Sequence, residues 1–442
     1  MSAPAQAVSP EPSSERLTRW HFEGFWLQLA VFAVAFLIIC LRRPDAVLNA
    51  QFYAEDGVVH YRDAYYFGAH SLFQPYGGYF QIVPRLAGLF AQLFPFAIAP
   101  LIMNLIAIAI QVLPLSVFLS SRFSNVKFGT RLLASAIYLA LPNSFEINAT
   151  LTNVQSHLVL LACLLLLAEP ARTRAWKVFD AISLVLTSLS SPMGILLLPV
   201  AALRWWNTGA TWSAACFGFL LPGSLIQTIS VLFHWHSREA THYSFSGQPI
   251  INGGALGANF HYFVSILGRQ VFLSSLLGLQ SQGWILKLRH AGALEVFATL
   301  IGLSVLIYAV RRGPTELKLF ILYAAAVLAL ALTNPLAGPP DHPQWYWLSQ
   351  PGCGNRYYFL PMLAFLSSLV WLATRRNSAR RLRFLGLALL LLLPIGIYRD
   401  WHYPPFINLR FQQFAQTLEK APAGARVMIP INPGWWMEIT KR

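Results

Sequence analysis

The run FWLQLAVFAVAFLIICL (25–41) carries no charge, and the stretch after it, RRPDAVLNAQFYAEDG (42–57), ends on two adjacent carboxylates, Glu55 and Asp56. An uninterrupted run of that length suits a helix crossing a hydrocarbon core, which needs about 17–25 apolar residues. Similar runs recur along the 442 residues. The chain is 56% hydrophobic and 11% charged, with a mean hydropathy of +0.52. A soluble domain carries roughly 25% charged residues, so lipid must be the main solvent here. Lipid offers the backbone no hydrogen-bond partners, which leaves helices or a closed barrel. Short alternating strands are not evident. The expectation is an all-α polytopic membrane protein.

The net charge of +15 does not point to nucleic acid, because its distribution follows topology. Basic residues cluster in short loops between apolar runs: SRFSNVKFGTR (121–131), ARTRAWK (171–177), RRGPTELK (311–318) and RRNSARRLR (375–383). Short basic loops mark the cytoplasmic side. Residues 1–23, with Arg16 and Arg19, join them as a cytoplasmic N-terminus, and no small-x-small cleavage site follows the first run. Arg42 and Arg43 oppose this orientation locally. About eleven spans are expected: 24–41, 97–120, 131–142, 154–169, 177–190, 193–206, 210–233, 291–310, 318–334, 356–374 and 384–398. Residues 24–398 then form the membrane domain. Its outer segments are a first loop at 43–96, with juxtamembrane helices, and a long loop at 234–290. Part of that long loop, FVSILGRQVFLSSLLGL, is apolar enough to re-enter the membrane edge. A small outer tail occupies 399–442.

The polar residues of interest all fall on the outer side. Adjacent side chains on a helix point about 100° apart, so Glu55 and Asp56 cannot both aim at one atom. One acts while the other orients the loop, or the pair only caps a helix. Arg85 and Arg356 each open an apolar helix near the interface, where a charge is costly unless paired. Either can hold a phosphate through its guanidinium fork or simply reach for headgroups. Glu146, Asn153, Gln155 and His157 lie where the third span turns into the fourth, suited to sugar hydroxyls or to the turn's own backbone. Tyr79 and Tyr357 are candidates to meet a sugar ring. His234, His236, Glu239 and His242 crowd one segment, but their spacing matches no helical zinc motif, and no metal site is expected. Cys40, Cys163, Cys216 and Cys353 fit no disulfide framework.

An acidic pair just after the first span, in a many-spanning chain with its large loops outside, resembles the GT-C superfamily of integral-membrane glycosyltransferases. The segments FYAEDG, QPYGGYFQIVPRL, LPNSFEINATLTNVQSH, SLSSPMGILLLP, GNRYYFLP and VMIPINPGWWM are similar to a bacterial branch that modifies O-antigen and other cell-envelope glycans. The resemblance implies an inverting transfer from a sugar on polyprenyl phosphate, with undecaprenyl as the expected chain. The acceptor is a cell-envelope glycan, lipid or protein on the periplasmic face of the bacterial inner membrane. It further implies Asp56 as the base with Glu55 as its alternate and no cofactor, and Arg85 and Arg356, placed at the outer interface, are the expected donor-phosphate ligands, with membrane lipids as partners. Two rivals stand beside it. An O-antigen polymerase or ligase would use a diphosphate-linked glycan and late-loop arginines such as Arg238 and Arg269. A lipid or sugar flippase would need a polar path to the inner face.

Overall fold

The computed structural model describes residues 25–233, 255–375 and 380–442. Six helices are long and apolar enough to cross a membrane: Phe96–Leu119, Thr211–Phe233, Ala291–Arg312, Thr315–Thr333, Asn355–Thr374 and Arg380–Arg399. The chain is therefore a multi-pass helical membrane protein. The other expected spans take different forms. Trp26–Arg42, Phe128–Leu139 and Gln155–Leu167 are shorter apolar helices. At about 1.5 Å per residue the last two cover only some 18–20 Å, less than a hydrocarbon core of about 30 Å. The expected fifth and sixth spans make a bent pair, Arg174–Ser188 and Pro192–Thr208, turning through 119°. By length and composition that pair adds at most one span.

The bend at SLSSPMG has a receiving role. Ser190 Oγ accepts a hydrogen bond from the Val83 amide at 3.0 Å, and the Leu189 carbonyl accepts from the Ile82 amide at 3.4 Å. These satisfy two of the orphan donors at the start of helix Ile82–Ala91. That helix lies against residues 56–61 so closely that a Cβ on Gly88 would come within 2.3 Å of the His60 carbonyl oxygen.

The basic loops converge at one end of the bundle. Arg122 forks onto Asp180 at 2.7 and 2.9 Å, Arg204 pairs with Glu316 at 3.2 Å, and Arg375 donates to the Arg312 carbonyl at 3.2 Å. Some charges that sequence patterning assigns to topology thus also hold loops together. Arg42 and Arg43, the apparent exceptions, are fully buried. Arg42 donates to the carbonyls of Leu139, Leu141, Asp400 and Trp401 and lies 4.2 Å from the Tyr403 ring centre. Arg43 donates to the Asn148 carbonyl at 2.9 Å. They tie the end of the first helix to two distant loops, which accounts for a cationic pair on the face away from the basic loops.

The stretch FVSILGRQVFLSSLLGL is mostly interior to the protein. From Val264 to Leu276 nearly every residue is buried, and it crosses helix Ala291–Arg312 closely at Gly268 and Gly302. Its apolar side chains meet protein, and Arg269 is neutralised by Glu295 at 2.9 Å.

The segment 399–442 is joined to the first loop rather than free-standing. It carries helix Phe411–Lys420 and an antiparallel hairpin of Arg426–Ile431 with Trp435–Thr440. Phe411, Ala415, Leu418, Ile429, Ile431, Met437 and Ile439 share one buried cluster with Phe52, Val58, Val59, Tyr61 and Val83. Backbone bonds reinforce the contact: Ala54 donates to the Asn432 carbonyl at 2.6 Å, and Asn432 donates to the Phe52 carbonyl at 3.2 Å.

Candidate functional site

The acidic pair follows a backbone position that L-residues rarely adopt. Ala54 has φ of +45°, held there by its bond to Asn432 on the tail. Such conformations cost about 1–3 kcal/mol and persist where the surroundings over-determine them. The pair then opens the wide-turn helix Asp56–Tyr61, and its two side chains part as their helical spacing requires.

Asp56 turns inward and is 2% exposed. Its carboxylate accepts from the Leu151 amide at 3.1 Å and the Thr152 hydroxyl at 2.8 Å. Burial pushes its carboxyl up to about 7, against those two donors, which favour the ionised form. Asp56 thus fastens the first loop to residues 151–152.

Glu55 stays half-buried among polar groups. Burial raises its carboxyl above the usual range. Its own backbone amide, the Arg356 charge and a Thr152 hydrogen bond act the other way, and Glu146 adds to the rise. Arg356 is ion-paired with Glu146, donates to the Leu336 carbonyl, and sits 4.8 Å from the Tyr357 ring centre. Glu146 also accepts from the Arg356 amide at 3.2 Å. Tyr357 Oη accepts from the Leu336 amide at 3.0 Å.

Tyr79 completes the group. Gly77 and Gly78, with φ of +62° and +88°, form a tight turn between Tyr76 and Tyr79 that disfavours any side chain. Gln227 then clamps the backbone of Phe80 from both sides, at 3.0 and 2.8 Å, and Ser230 donates to the Gly78 carbonyl at 3.0 Å. Between those anchors Tyr79 meets Gln155, whose Nε2 donates to Tyr79 Oη at 3.3 Å. Burial, the Glu55 charge and the Tyr357 ring raise the Tyr79 phenol to about 12, against the Gln155 bond and the Arg356 charge. Gln155 Oε1 is buried without a hydrogen-bond partner, an acceptor open to a bound hydroxyl. Tyr53, stacked on Phe406 of the tail at 5.2 Å, feels the charges of Glu55, Glu146, Arg43 and Arg356.

Six of the ten acidic-pair, arginine, turn and tyrosine candidates singled out from sequence therefore gather: Glu55, Tyr79, Glu146, Gln155, Arg356 and Tyr357. The other four go elsewhere. Asn153 donates to the Glu146 carbonyl at 3.0 Å, and His157 uses Nδ1 on Tyr138 Oη at 2.9 Å and Nε2 on the Ile147 carbonyl at 3.0 Å. Both hold the 143–154 turn that carries Glu146. Arg85 is 1% exposed and paired with Asp63 at 3.1 Å, so it forms a group apart from Arg356. Asp56 faces Leu151 and Thr152. Sequence reading noted Glu146 without recognising it as Arg356's partner, and it missed Tyr53 and Phe406. The scarcity of acids in the outer loops was the available signal for Glu146. Arg238 and the histidines near it lie outside the described residues. Among the described residues no group of three or more His, Cys, Asp or Glu side chains is arranged to hold a metal ion.

No protein-family model matches the chain, and no curated protein matches it. Among solved structures it is similar to the archaeal oligosaccharyltransferase AglB from Archaeoglobus fulgidus, solved in complex with an inhibitory peptide and a dolichol-phosphate. The identity is 12% and the TM-score 0.41, over 91% of this chain and 59% of that one. The chain thus spans less than two thirds of that protein's length.

Proposed function

We propose that the chain is a GT-C-type glycosyltransferase that moves a sugar from a polyprenyl phosphate to an acceptor hydroxyl on the face opposite the basic loops. The observation that carries this reading is the group of Glu55, Glu146, Arg356, Tyr79 and Gln155 at the outer end of the bundle. A lipid-borne phosphate travels at that depth. Glu55 is the carboxylate with access to it, so we assign it the base role and give Asp56 the task of holding the loop. The acceptor oxygen attacks the anomeric carbon while its proton passes to Glu55. The carbon–phosphate oxygen bond breaks on the opposite face, its electron pair leaving with the polyprenyl phosphate, and configuration inverts. Arg356 exchanges part of its contact with Glu146 for the phosphate. The donor sugar rests on Tyr79 and Tyr357, with the Gln155 carbonyl oxygen accepting from one hydroxyl.

The finer reading places the enzyme in a bacterial inner membrane, with undecaprenyl phosphate as carrier, a cell-envelope acceptor and the site facing the periplasm. It rests on the sequence resemblance and the basic-loop asymmetry. Of the two late-loop arginines of the polymerase or ligase alternative, Arg269 is buried and ion-paired with Glu295, and Arg238 lies outside the described residues. The test is turnover of synthetic polyprenyl-phosphate sugars by the purified protein in lipid nanodiscs. A positioned base contributes about 10²–10⁴-fold. Glu55→Gln should lose that factor with donor binding little changed, whereas Asp56→Asn should lose less. Full turnover in Glu55→Gln would remove the base from this mechanism. No consumption of any polyprenyl-phosphate sugar by wild type would remove the function.

A further inference from the structure

A sizeable space among the helices has Lys127, Arg312 and Arg375 of the basic loops in its lining. A cavity of about 750 Å³ opens among helices Ala99–Leu119, Phe128–Leu139, Gln155–Leu167, Thr315–Thr333 and Asn355–Thr374. That volume lies within the roughly 300–1,000 Å³ of pockets that enclose small ligands. Its walls are apolar, with Leu115, Leu164, Phe320 and Leu363 among them. Its mouth is cationic, formed by Lys127, Arg312 and Arg375. Glu316 also lines it, but that carboxylate is held by Arg204 at 3.2 Å. Among the described residues none of the three cations has an acidic partner. The space runs along the helices from Thr374 to Leu363 on one wall, about 16 Å at 1.5 Å per residue.

A second observation points to a ligand. Ser135 lines the cavity, is 4% exposed, and its Oγ has no hydrogen-bond partner. A buried hydroxyl left unpaired costs about 1–3 kcal/mol. It lies five residues, about 7 Å, below Thr130 along the helix. A diacyl phospholipid carries its ester carbonyls a similar short distance below its phosphate.

We infer that this cavity holds one anionic diacyl phospholipid of the leaflet beside the basic loops, its phosphate at Lys127, Arg312 and Arg375, an ester carbonyl on Ser135 Oγ, and an acyl chain against Leu164 and Leu363. Basic pockets between membrane helices at this depth bind anionic headgroups. The charge of the mouth selects an anion, the apolar depth selects an acyl chain, and the orphan hydroxyl selects an ester over an ether. The site is separate from the outer group and does not depend on the glycosyltransferase reading.

The experiment uses the full chain in nanodiscs of phosphatidylcholine doped with phosphatidylglycerol bearing a diazirine on its acyl chain. Crosslinks are mapped by mass spectrometry. Labelling should concentrate on Leu164, Phe320 and Leu363, and should exceed that from a phosphatidylcholine probe at least tenfold. Each mouth charge is worth about fivefold, so Lys127→Gln with Arg312→Gln, both at exposed positions, should cut labelling by about 25-fold. Ser135→Ala should weaken the diester probe about two- to tenfold and leave an ether-linked analogue unchanged. Ser135→Leu, checked for monodispersity, should block labelling by filling the space. Equal labelling by the two headgroups would overturn the inference. So would crosslinks confined to the outer lipid-facing surface, or displacement of the probe by equimolar polyprenyl phosphate, which would make the occupant a prenyl carrier.

Discussion

Arg356 and Glu146 join two loops that lie 210 residues apart in sequence, and their separation by mutation distinguishes holding from binding. Arg356→Ala removes the guanidinium from Glu146, whose side chain is only 11% exposed. It also deletes the bond to the Leu336 carbonyl and the contact with Tyr357. Breaking a buried pair costs about 3–5 kcal/mol. Because the Arg356 side chain is 29% exposed, water screens part of the loss, and about 2–3 kcal/mol is expected. Glu146→Gln leaves the cation facing a carbonyl and should cost about 1–2 kcal/mol. In the double variant neither charge is stranded, so the sum of the single losses should exceed the double loss by about 1–2 kcal/mol. The assay is unfolding in lipid nanodiscs, with and without a polyprenyl-phosphate sugar at about a hundred times its dissociation constant. At that ratio a ligand stabilises by about 2.7 kcal/mol. Most of that gain should vanish in the double variant, although it should be no less stable than Arg356→Ala alone. Additive single losses would refute the ion pair as the clasp between the loops. A full ligand-induced gain in the double variant would refute Arg356 as the phosphate ligand.

Asp56 should make stability depend on pH. Its folded value near 7 lies above the ordinary carboxyl value of 3.8, so folding favours the protonated form. Its contribution is complete below pH 4 and is lost as pH rises through 7. Wild type should therefore lose stability relative to Asp56→Asn between pH 4 and pH 8, and a constant gap measured by thermal unfolding would contradict this. Gly88→Ala places a Cβ against the His60 carbonyl and should destabilise by more than about 2 kcal/mol; a change below about 0.5 kcal/mol would mean the helices separate freely. Ile431→Ala opens a cavity beside Gly57 in the shared cluster. It should cost about 2–5 kcal/mol and expose residues 49–61 to limited proteolysis, while an unchanged digestion pattern would show the tail and loop to be independent.

The membrane class was legible because runs such as 97–120 carry no charge and 291–310 carries only Glu295. Length was less legible. Hydrophobicity says that 128–139 and 155–167 avoid water, but protein neighbours satisfy that preference as well as lipid does, so short helices read as full spans. The acidic pair could be found but not resolved, since adjacency in sequence does not say which carboxylate turns toward Leu151. The fate of Arg85 hinged on Asp63, and that of Arg356 on Glu146. Each side chain alone carries the same costly charge. Pairing between the tail and the first loop was invisible, because backbone bonds from Asn432 leave no mark on residue type.

That pairing also sets an order of events during synthesis. Residues 52–54 find their backbone partner about 380 residues later, a span that takes roughly 20–80 s to make at about 5–20 residues per second. Until Asn432 arrives, Ala54 has no tail carbonyl to hold its left-handed turn, and Glu55 has no fixed direction. Every membrane helix can therefore be inserted before the acidic pair is set, so chemistry at the lipid surface is armed last. A ribosome stalled near residue 400 should leave the first loop protease-sensitive in an otherwise inserted chain, and a protected loop at that stage would show that it folds without the tail.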